Sequence, residues 1–207
     1  WFDPFMYESQ NNGREGRAGG QTMRILNSKM DFEGDKWPVT YIENHDHSRV
    51  TNKVGGRVRW FKAQPAAIAL FTAPGMTMIY NGQEYGEDYY LPDQGEGRVV
   101  PRPLRWQAFE DDFAGQRLRF LYGKLARMRR DHPALRGPNV FPQVNFQDGY
   151  GIVNDSLVIF HRYGQTEAGL ARYIVVVNFG DGDQNVTVPF SSNGQWADLL
   201  NDEMVEI

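Results

Sequence analysis

The 207-residue sequence contains no cysteine, which excludes disulfides and thiolate chemistry. It has no apolar run long enough to cross a bilayer, so no membrane-spanning role is predicted. It also lacks a dense basic block typical of nucleic-acid binding. The 22 lysines and arginines are outnumbered by 26 acidic residues, which gives a formal net charge of −4. No nucleic-acid partner is therefore predicted. These absences favour a globular protein whose cellular compartment stays open.

A strand–loop–helix–strand–loop pattern occupies the first half of the chain. Residues 37–42 are apolar and rich in β-forming side chains, and the polar run from Glu43 to His47 follows at once. Residues 60–73 have a helical pattern that either begins or kinks at Pro65, and residues 76–80 form a second apolar run. This order is typical of neighbouring strands in a parallel sheet, whose carboxyl ends carry functional sites.

The second half predicts one amphipathic helix and then a β-rich region. The helix has Asp111 and Asp112 at its start and an apolar stripe of Ala114, Leu118, Leu121, Leu125 and Met128. Short strands follow, strongest over residues 157–161 and 173–178 and weaker over 186–188 and 196–199, with a glycine-rich connection near Gly164. We predict two domains, residues 1–137 and an antiparallel all-β domain over residues 138–207.

Several segments together resemble the α-amylase family, glycoside hydrolase family 13. The run Tyr41-Ile42-Glu43-Asn44-His45-Asp46 is similar to the motif that ends the family's seventh barrel strand. Residues 73–84 are similar to its eighth strand with the flanking turn and loop, and residues 132–136 to the exit from its barrel. The resemblance implies an α/β fold: the C-terminal part of a (β/α)8 TIM barrel followed by a small antiparallel β-sandwich domain.

The same resemblance implies a function for the intact protein and a role for three residues. It implies a retaining glycoside hydrolase that needs no cofactor and acts on α-1,4-glucans such as starch, glycogen and maltooligosaccharides. Asp46 is then the carboxylate that holds and distorts the sugar being cleaved, and His45 hydrogen-bonds hydroxyls of that sugar. Arg49 matches an arginine often found three positions after that aspartate in the family, which implies an electrostatic or substrate-positioning role for it.

The nucleophile and the acid/base of the family precede its seventh strand. No segment of residues 1–36 resembles either motif. A complete barrel takes about 250 residues, and only about 136 precede the β-rich region here. The chain also begins at Trp1 without a methionine, which suggests a fragment or a processed product. We therefore expect the N-terminal part of the barrel to be missing and the chain alone to be inactive.

Other residues have alternative interpretations. His45-Asp46-His47 resembles a metal pair, but the only further histidines are His132 and His161, at a helix end and in the β-rich region, so no metal is predicted. Glu84 is interpreted as part of a structural loop rather than as a catalytic acid. Two further groups are assigned to the solvated surface and to the core: the arginines Arg98, Arg102 and Arg105, and the tryptophans Trp60 and Trp106.

Three functions stay open at this point. The first is an α-glucan hydrolase or a related transglycosylating, branching or trehalose-forming enzyme. The second is a non-catalytic glucan-binding or interaction module of the same fold. The third is a different barrel hydrolase that uses the His-Asp-His run for a metal.

Overall fold

The computed structural model describes residues 36–92, 94–141 and 157–207, the backbone of residues 151–154, Leu26 and residues 32–34. The first 25 residues of the predicted first domain lie outside this range. In the described part of the chain, no helix is both long enough and apolar enough to cross a membrane.

Two short parallel strands form the base of the candidate site. Strand β1 (Val39–Thr40) pairs in parallel with β2 (Met76–Thr77), in the register Val39 to Met76 and Thr40 to Thr77. The Thr40 hydroxyl donates to the Met76 carbonyl at 3.0 Å, which adds a side-chain bond to the pairing. The predicted parallel arrangement is confirmed, although both strands are shorter than the apolar runs that predicted them.

Three helical segments connect these strands. A four-residue helix, α1 (Val50–Lys53), precedes a 3₁₀ segment (Arg57–Ala63) and helix α2 (Gln64–Thr72). Pro65 lies in the first turn of α2, where its missing N–H costs nothing, so the helix begins there. Ala66, Ala67 and Leu70 of α2 are fully buried, consistent with a helix that packs inside the protein.

The long amphipathic helix is observed as predicted. After the short helix α3 (Trp106–Glu110), helix α4 runs from Phe113 to Asp131. Its N-cap is Asp112, whose carboxylate accepts from the Gly115 N–H at 3.0 Å. The buried face differs in one detail from the predicted stripe, because Tyr122 is 4% exposed whereas Leu121 and Met128 are only partly buried.

The β-rich region contains an antiparallel sheet and a separate hairpin. Strands β3 (Val140–Phe141), β4 (Gly151–Asn154) and β6 (Gly169–Asn178) all pair with the central β5 (Leu157–Thr166), and β7 (Gln195–Asp198) pairs with β8 (Glu203–Glu206). The predicted antiparallel pairing is confirmed. One hydrophobic core continues from α2 and α4 into this sheet through residues such as Val158 and Phe160.

Two sequence predictions in this region are wrong. Residues 186–188 form no strand, and the chain turns directly after them, where the Phe190 N–H donates to the Val188 carbonyl across Pro189. Gly164 is not part of a connection but lies inside β5. A Cβ atom at Gly164 would approach Ala134 to 3.2 Å, so the glycine permits close packing against the turn after α4.

Candidate functional site

The polar run after β1 forms a tight turn that presents Asp46 to solvent. The Asn44 side-chain oxygen accepts from the Asp46 N–H at 2.9 Å, which closes an Asx turn. The Asp46 side chain is 58% exposed and that of His45 is 77% exposed, with His45 Nε2 lying 3.4 Å from Asp46 Oδ2. Two of the three predicted site residues therefore lie together at the carboxyl end of β1.

Arg98 holds this turn from a distant loop. Its Nη2 donates to the Asp46 carbonyl at 3.1 Å and lies 3.6 Å from the Asp46 carboxylate. Its Nη1 donates to the Pro92 carbonyl at 2.9 Å, which fixes the guanidinium. The interpretation of Arg98 as a solvated surface charge is therefore wrong, since it contacts both the backbone and the carboxylate of Asp46.

The two neighbouring arginines also have structural partners. Arg102 donates to the carbonyls of Gly97, Arg98 and Val100. Arg105 pairs with Glu87, which is fully buried, and with Asp88. A solvated role is wrong for Arg102, because its guanidinium satisfies main-chain carbonyls that order the loop. The Arg105 side chain is 41% exposed, so its interpretation as a solvated loop charge is confirmed, although it also pairs with the two carboxylates.

Arg49 lies beneath the turn rather than on its surface. The residue is only 5% exposed, and its Nη1 donates to Glu43 Oε2 at 2.9 Å. Its guanidinium also stacks 4.2 Å from the centre of the Tyr80 ring, at the end of the β2 segment. These partners fix Arg49 between the two strand ends, and its predicted contact with substrate stays a prediction.

Glu43 is a site residue that the sequence did not predict. It is 1% exposed, and its two carboxylate oxygens accept from Arg49 Nη1 and from the Val50 N–H at 2.8 Å. Burial raises the pKa of Glu43 to about 7, although the Arg49 charge and both hydrogen bonds oppose the rise. Its position directly before Asn44 was the available signal, but a strand-end glutamate alone does not predict burial.

A small cleft opens next to the turn. It has a volume of about 190 Å³, and its lining includes His45 and Arg49. The other lining residues are Asn44, His47, Tyr80, Tyr89, Leu91, Val100 and Arg102. Asp46 is not in this lining, and its exposed carboxylate lies beside the cleft. The geometry suits polar recognition of a hydroxyl-rich ligand at an open surface.

A larger cavity lies elsewhere. It has a volume of about 620 Å³ and is lined by α2, α4, β6 and the β7–β8 hairpin, including Tyr173, Phe190 and Trp196. We assign the candidate site to the smaller cleft because it lies at the carboxyl ends of parallel strands, where α/β folds place their sites.

The two tryptophans that the sequence assigns to the core differ in their burial. Trp60 packs partly buried against the core, as predicted. Trp106 is 39% exposed and meets Tyr85 edge-on at 5.3 Å, so its assignment to the core is wrong.

Glu84 lies in a 3₁₀ turn (Gln83–Tyr85), and its buried Oε2 accepts no hydrogen bond from the described residues. Within the same residues, no group of three or more histidines and carboxylates is arranged to hold a metal ion.

The family model for the α-amylase catalytic domain matches residues 17–155. The chain belongs to the α-amylase family. The resemblance read from the Asn-His-Asp run and the following segments is thereby confirmed.

Relatives in the α-amylase family match most of this chain but only part of their own length. The α-amylase MalA of Haloarcula japonica is 31% identical over 195 residues, which is 92% of this chain and 26% of that protein. The cyclomaltodextrin glucanotransferase of Klebsiella oxytoca is 24% identical, over 93% of this chain and 31% of that protein. The chain thus spans about a quarter to a third of the length of these curated relatives.

Solved α-amylase family structures share the fold. AmyP in complex with maltose superposes with a TM-score of 0.68 at 19% identity, over 99% of this chain and 45% of that one. An Anoxybacillus α-amylase superposes with a TM-score of 0.61 at 18% identity, over 100% of this chain and 46% of that one. This similarity supports the α-amylase family fold implied by the resemblance, whereas the assignment of the chain to the C-terminal part of the barrel with a β-sandwich, and its division into domains, stay predictions.

Proposed function

We propose that the complete protein is a retaining glycoside hydrolase that acts on α-1,4-glucans. In this proposal residues 1–137 are the C-terminal part of its (β/α)8 barrel, and residues 138–207 form its β-sandwich domain. The observation that carries the proposal is the Asn44–Asp46 turn at the carboxyl end of β1, which is paired in parallel with β2 in an α-amylase family chain.

Asp46 is suited to hold a sugar in a fixed orientation. Its carboxylate only accepts hydrogen bonds when ionised, so it recognises the hydroxyl donors that line a sugar ring. The Asx turn and the Arg98 contacts limit the backbone freedom of Asp46, while more than half of its side chain stays exposed. A restrained acceptor of this kind can bind more strongly in the transition state than in the ground state.

His45 supplies the complementary donor or acceptor. Its imidazole is 77% exposed next to Asp46 and also lines the 190 Å³ cleft. Arg49 forms the floor of the same cleft from its buried position beside Glu43. We propose that the sugar hydroxyls contact His45 and Asp46 directly, whereas Arg49 supports the surface beneath them.

The chemistry of retention needs two further carboxyl groups about 5–5.5 Å apart, one as nucleophile and one as acid/base. Among the described residues, the side chains recorded against the Asp46 carboxylate are those of Arg98 and His45, and no described contact pairs it with a second carboxylate. We propose that the nucleophile and the acid/base belong to sequence that precedes residue 1, and that the 207-residue chain alone has no glycosidase activity.

Transglycosylation is the second candidate function. It is favoured by the similarity to a Klebsiella oxytoca protein named as a cyclomaltodextrin glucanotransferase. A branching or trehalose-forming reaction, or a non-catalytic glucan-binding role, would use the same turn. Analysis of products formed from a maltooligosaccharide separates these outcomes, because a hydrolase yields only shorter chains, whereas a transferase also yields longer or cyclic ones.

The test compares Asp46→Asn with Asp111→Asn in the complete protein. The first substitution keeps the size of the side chain but replaces an acceptor oxygen with a donor, so kcat on maltooligosaccharides should fall by about 100-fold or more. Asp111 is exposed at the end of α3, and its variant should retain wild-type rates. Equal rates for wild type and the Asp46→Asn variant would refute the proposed role.

A further inference from the structure

A buried carboxylate closes the base of the loop that carries Asp46. Glu43 precedes this loop, whereas its two hydrogen-bond partners, Arg49 and the Val50 N–H, follow it. The distances are 2.9 Å and 2.8 Å, and both bonds are buried. Residues 44–48 therefore form a loop that begins directly after Glu43 and whose far end is hydrogen-bonded to the Glu43 side chain.

We propose that Glu43 is a positioning residue, whose ionised carboxylate fixes the loop that places Asp46 against the sugar. The inference rests on the proposed function of Asp46. Glu43 is 1% exposed beneath the turn, so it acts through the loop and not by touching substrate. Its two oxygens accept from two different donors at once, whereas a protonated carboxyl group or an amide side chain presents a donor at one of these two positions.

The surroundings of Glu43 oppose its ionisation. Desolvation is the largest effect, and the nearby Glu84 on the turn after β2 adds a like charge. Arg49 is the favourable partner, and Tyr122 of α4 is close enough for the Glu43 charge to raise its pKa further, beyond the effect of burial. The resulting pKa of Glu43, about 7, means that the carboxylate forms only as the pH rises through neutrality.

This chemistry gives a consequence that a merely structural residue would not have. Both hydrogen bonds lower the pKa of Glu43 relative to a buried carboxyl group without partners, so both are stronger to the ionised form. Protonation below the pKa weakens the bond to the oxygen that takes the proton. Above the pKa, both bonds are made. The contribution of Glu43 to the position of Asp46 should therefore grow with pH, whereas a purely steric contribution would be the same at every pH.

The experiment measures kcat and KM of the complete protein as wild type, Glu43→Gln and Glu110→Gln, across the pH range. Glu110 is exposed on α3, so its variant makes the same charge change at the surface. The ratio of wild-type kcat to Glu43→Gln kcat should approach one below about pH 5.5 and rise to about 10- to 100-fold above about pH 8. The effect should appear in kcat more than in KM, because the contact of Asp46 matters most in the transition state.

A ratio that stays constant with pH, or a ratio of one throughout, would overturn the inference. The Asp46→Asn variant keeps the two proposals apart: if it loses activity while Glu43→Gln does not, only the positioning role fails. If Asp46→Asn is fully active, the proposed function itself fails.

A second measurement applies if Glu43→Gln does not fold. Crystal structures of the complete wild-type protein at about pH 5.5 and about pH 8.5 should then show Glu43 within hydrogen-bond distance of both Arg49 and the Val50 N–H at the higher pH, and one of these two bonds lengthened at the lower pH. Two bonds of the same length at both pH values would overturn the inference.

Discussion

Arg162 offers the sharpest test of how the α/β part is joined to the β-rich region. The residue is fully buried in β5, and its guanidinium donates to five main-chain carbonyls. These carbonyls belong to Thr72, Ala134, Leu135, Gly137 and Asn139. Burial lowers the pKa of Arg162 to about 9, with a smaller effect from Arg129, and it remains a cation at neutral pH.

The acceptors explain why a buried cation is stable there with no carboxylate partner among the described residues. Thr72 is the last residue of α2, and Arg129 of α4 binds the adjacent Phe71 and Ala73 carbonyls. The last carbonyls of a helix have no intrahelical donor and carry its negative dipole end. Two arginines therefore satisfy the end of α2 and connect it to the turn before β3.

The change Arg162→Met keeps much of the apolar stem but removes every donor. Two of the five bonds, to Leu135 and Ala134, are long at 3.3 Å and 3.2 Å, so about three carry most of the energy. At about 1–1.5 kcal/mol each the loss is about 3–4.5 kcal/mol. Relief of the desolvated charge offsets part of this, leaving about 2–4 kcal/mol. For a chain of this length, that corresponds to a melting temperature lower by roughly 4–16 °C.

The assay is thermal unfolding of the 207-residue chain at neutral pH, monitored by circular dichroism. Arg130→Met is the matched control, because Arg130 lies on the same surface helix as Arg129 and its side chain is 70% exposed. The control should change the free energy of unfolding by less than about 0.5 kcal/mol. An Arg162→Met variant as stable as the control would refute this account of the junction.

Two further predictions concern α4. Gly123→Ala should stabilise the chain by about 0.5–1 kcal/mol, because the added Cβ meets only the Arg127 side chain at 3.4 Å. Gly115→Ala should destabilise the chain, because the added Cβ would overlap the Phe109 carbonyl oxygen. Denaturant midpoints that move in the same direction for both variants would contradict this prediction. Burial raises the pKa of Asp112, but the hydrogen bonds from Arg57 and Gly115 outweigh burial and leave the pKa below its usual 3.8. The carboxylate therefore stabilises the fold above about pH 4 and loses this effect as the pH falls through its lowered pKa. Asp112→Ala should cost about 1 kcal/mol at pH 7, and the cost should shrink in acid, so a loss that is unchanged at about pH 2 would count against the cap.

Features that depend on neighbouring residues were predictable from the sequence. The start of α2 at Pro65, the cap at Asp112 and the parallel pairing of the two short strands follow from local patterns, although both strands end earlier than the apolar runs that predicted them. The turn that exposes Asp46 also follows, because Asn44 bonds the backbone two residues later.

Features that depend on distant contacts were not predictable. Arg98 binds Asp46 across 52 residues, and no local pattern indicates that pairing. Strand β8 was missed because all four of its residues are exposed, so it has no apolar alternation. Glu43 and Arg49 are charged residues whose burial arises only when β1, β2 and α4 pack together, and charge alone predicts exposure.

The most direct test of the proposed function is the structure of the complete protein with a bound maltooligosaccharide. We predict that a carboxylate oxygen of Asp46 lies within hydrogen-bond distance, about 2.6–3.2 Å, of a hydroxyl on the sugar at the scissile bond, with His45 contacting the same sugar. A glucan chain cleaved at another surface, with Asp46 still paired to Arg98 and touching no sugar, would contradict the proposed function.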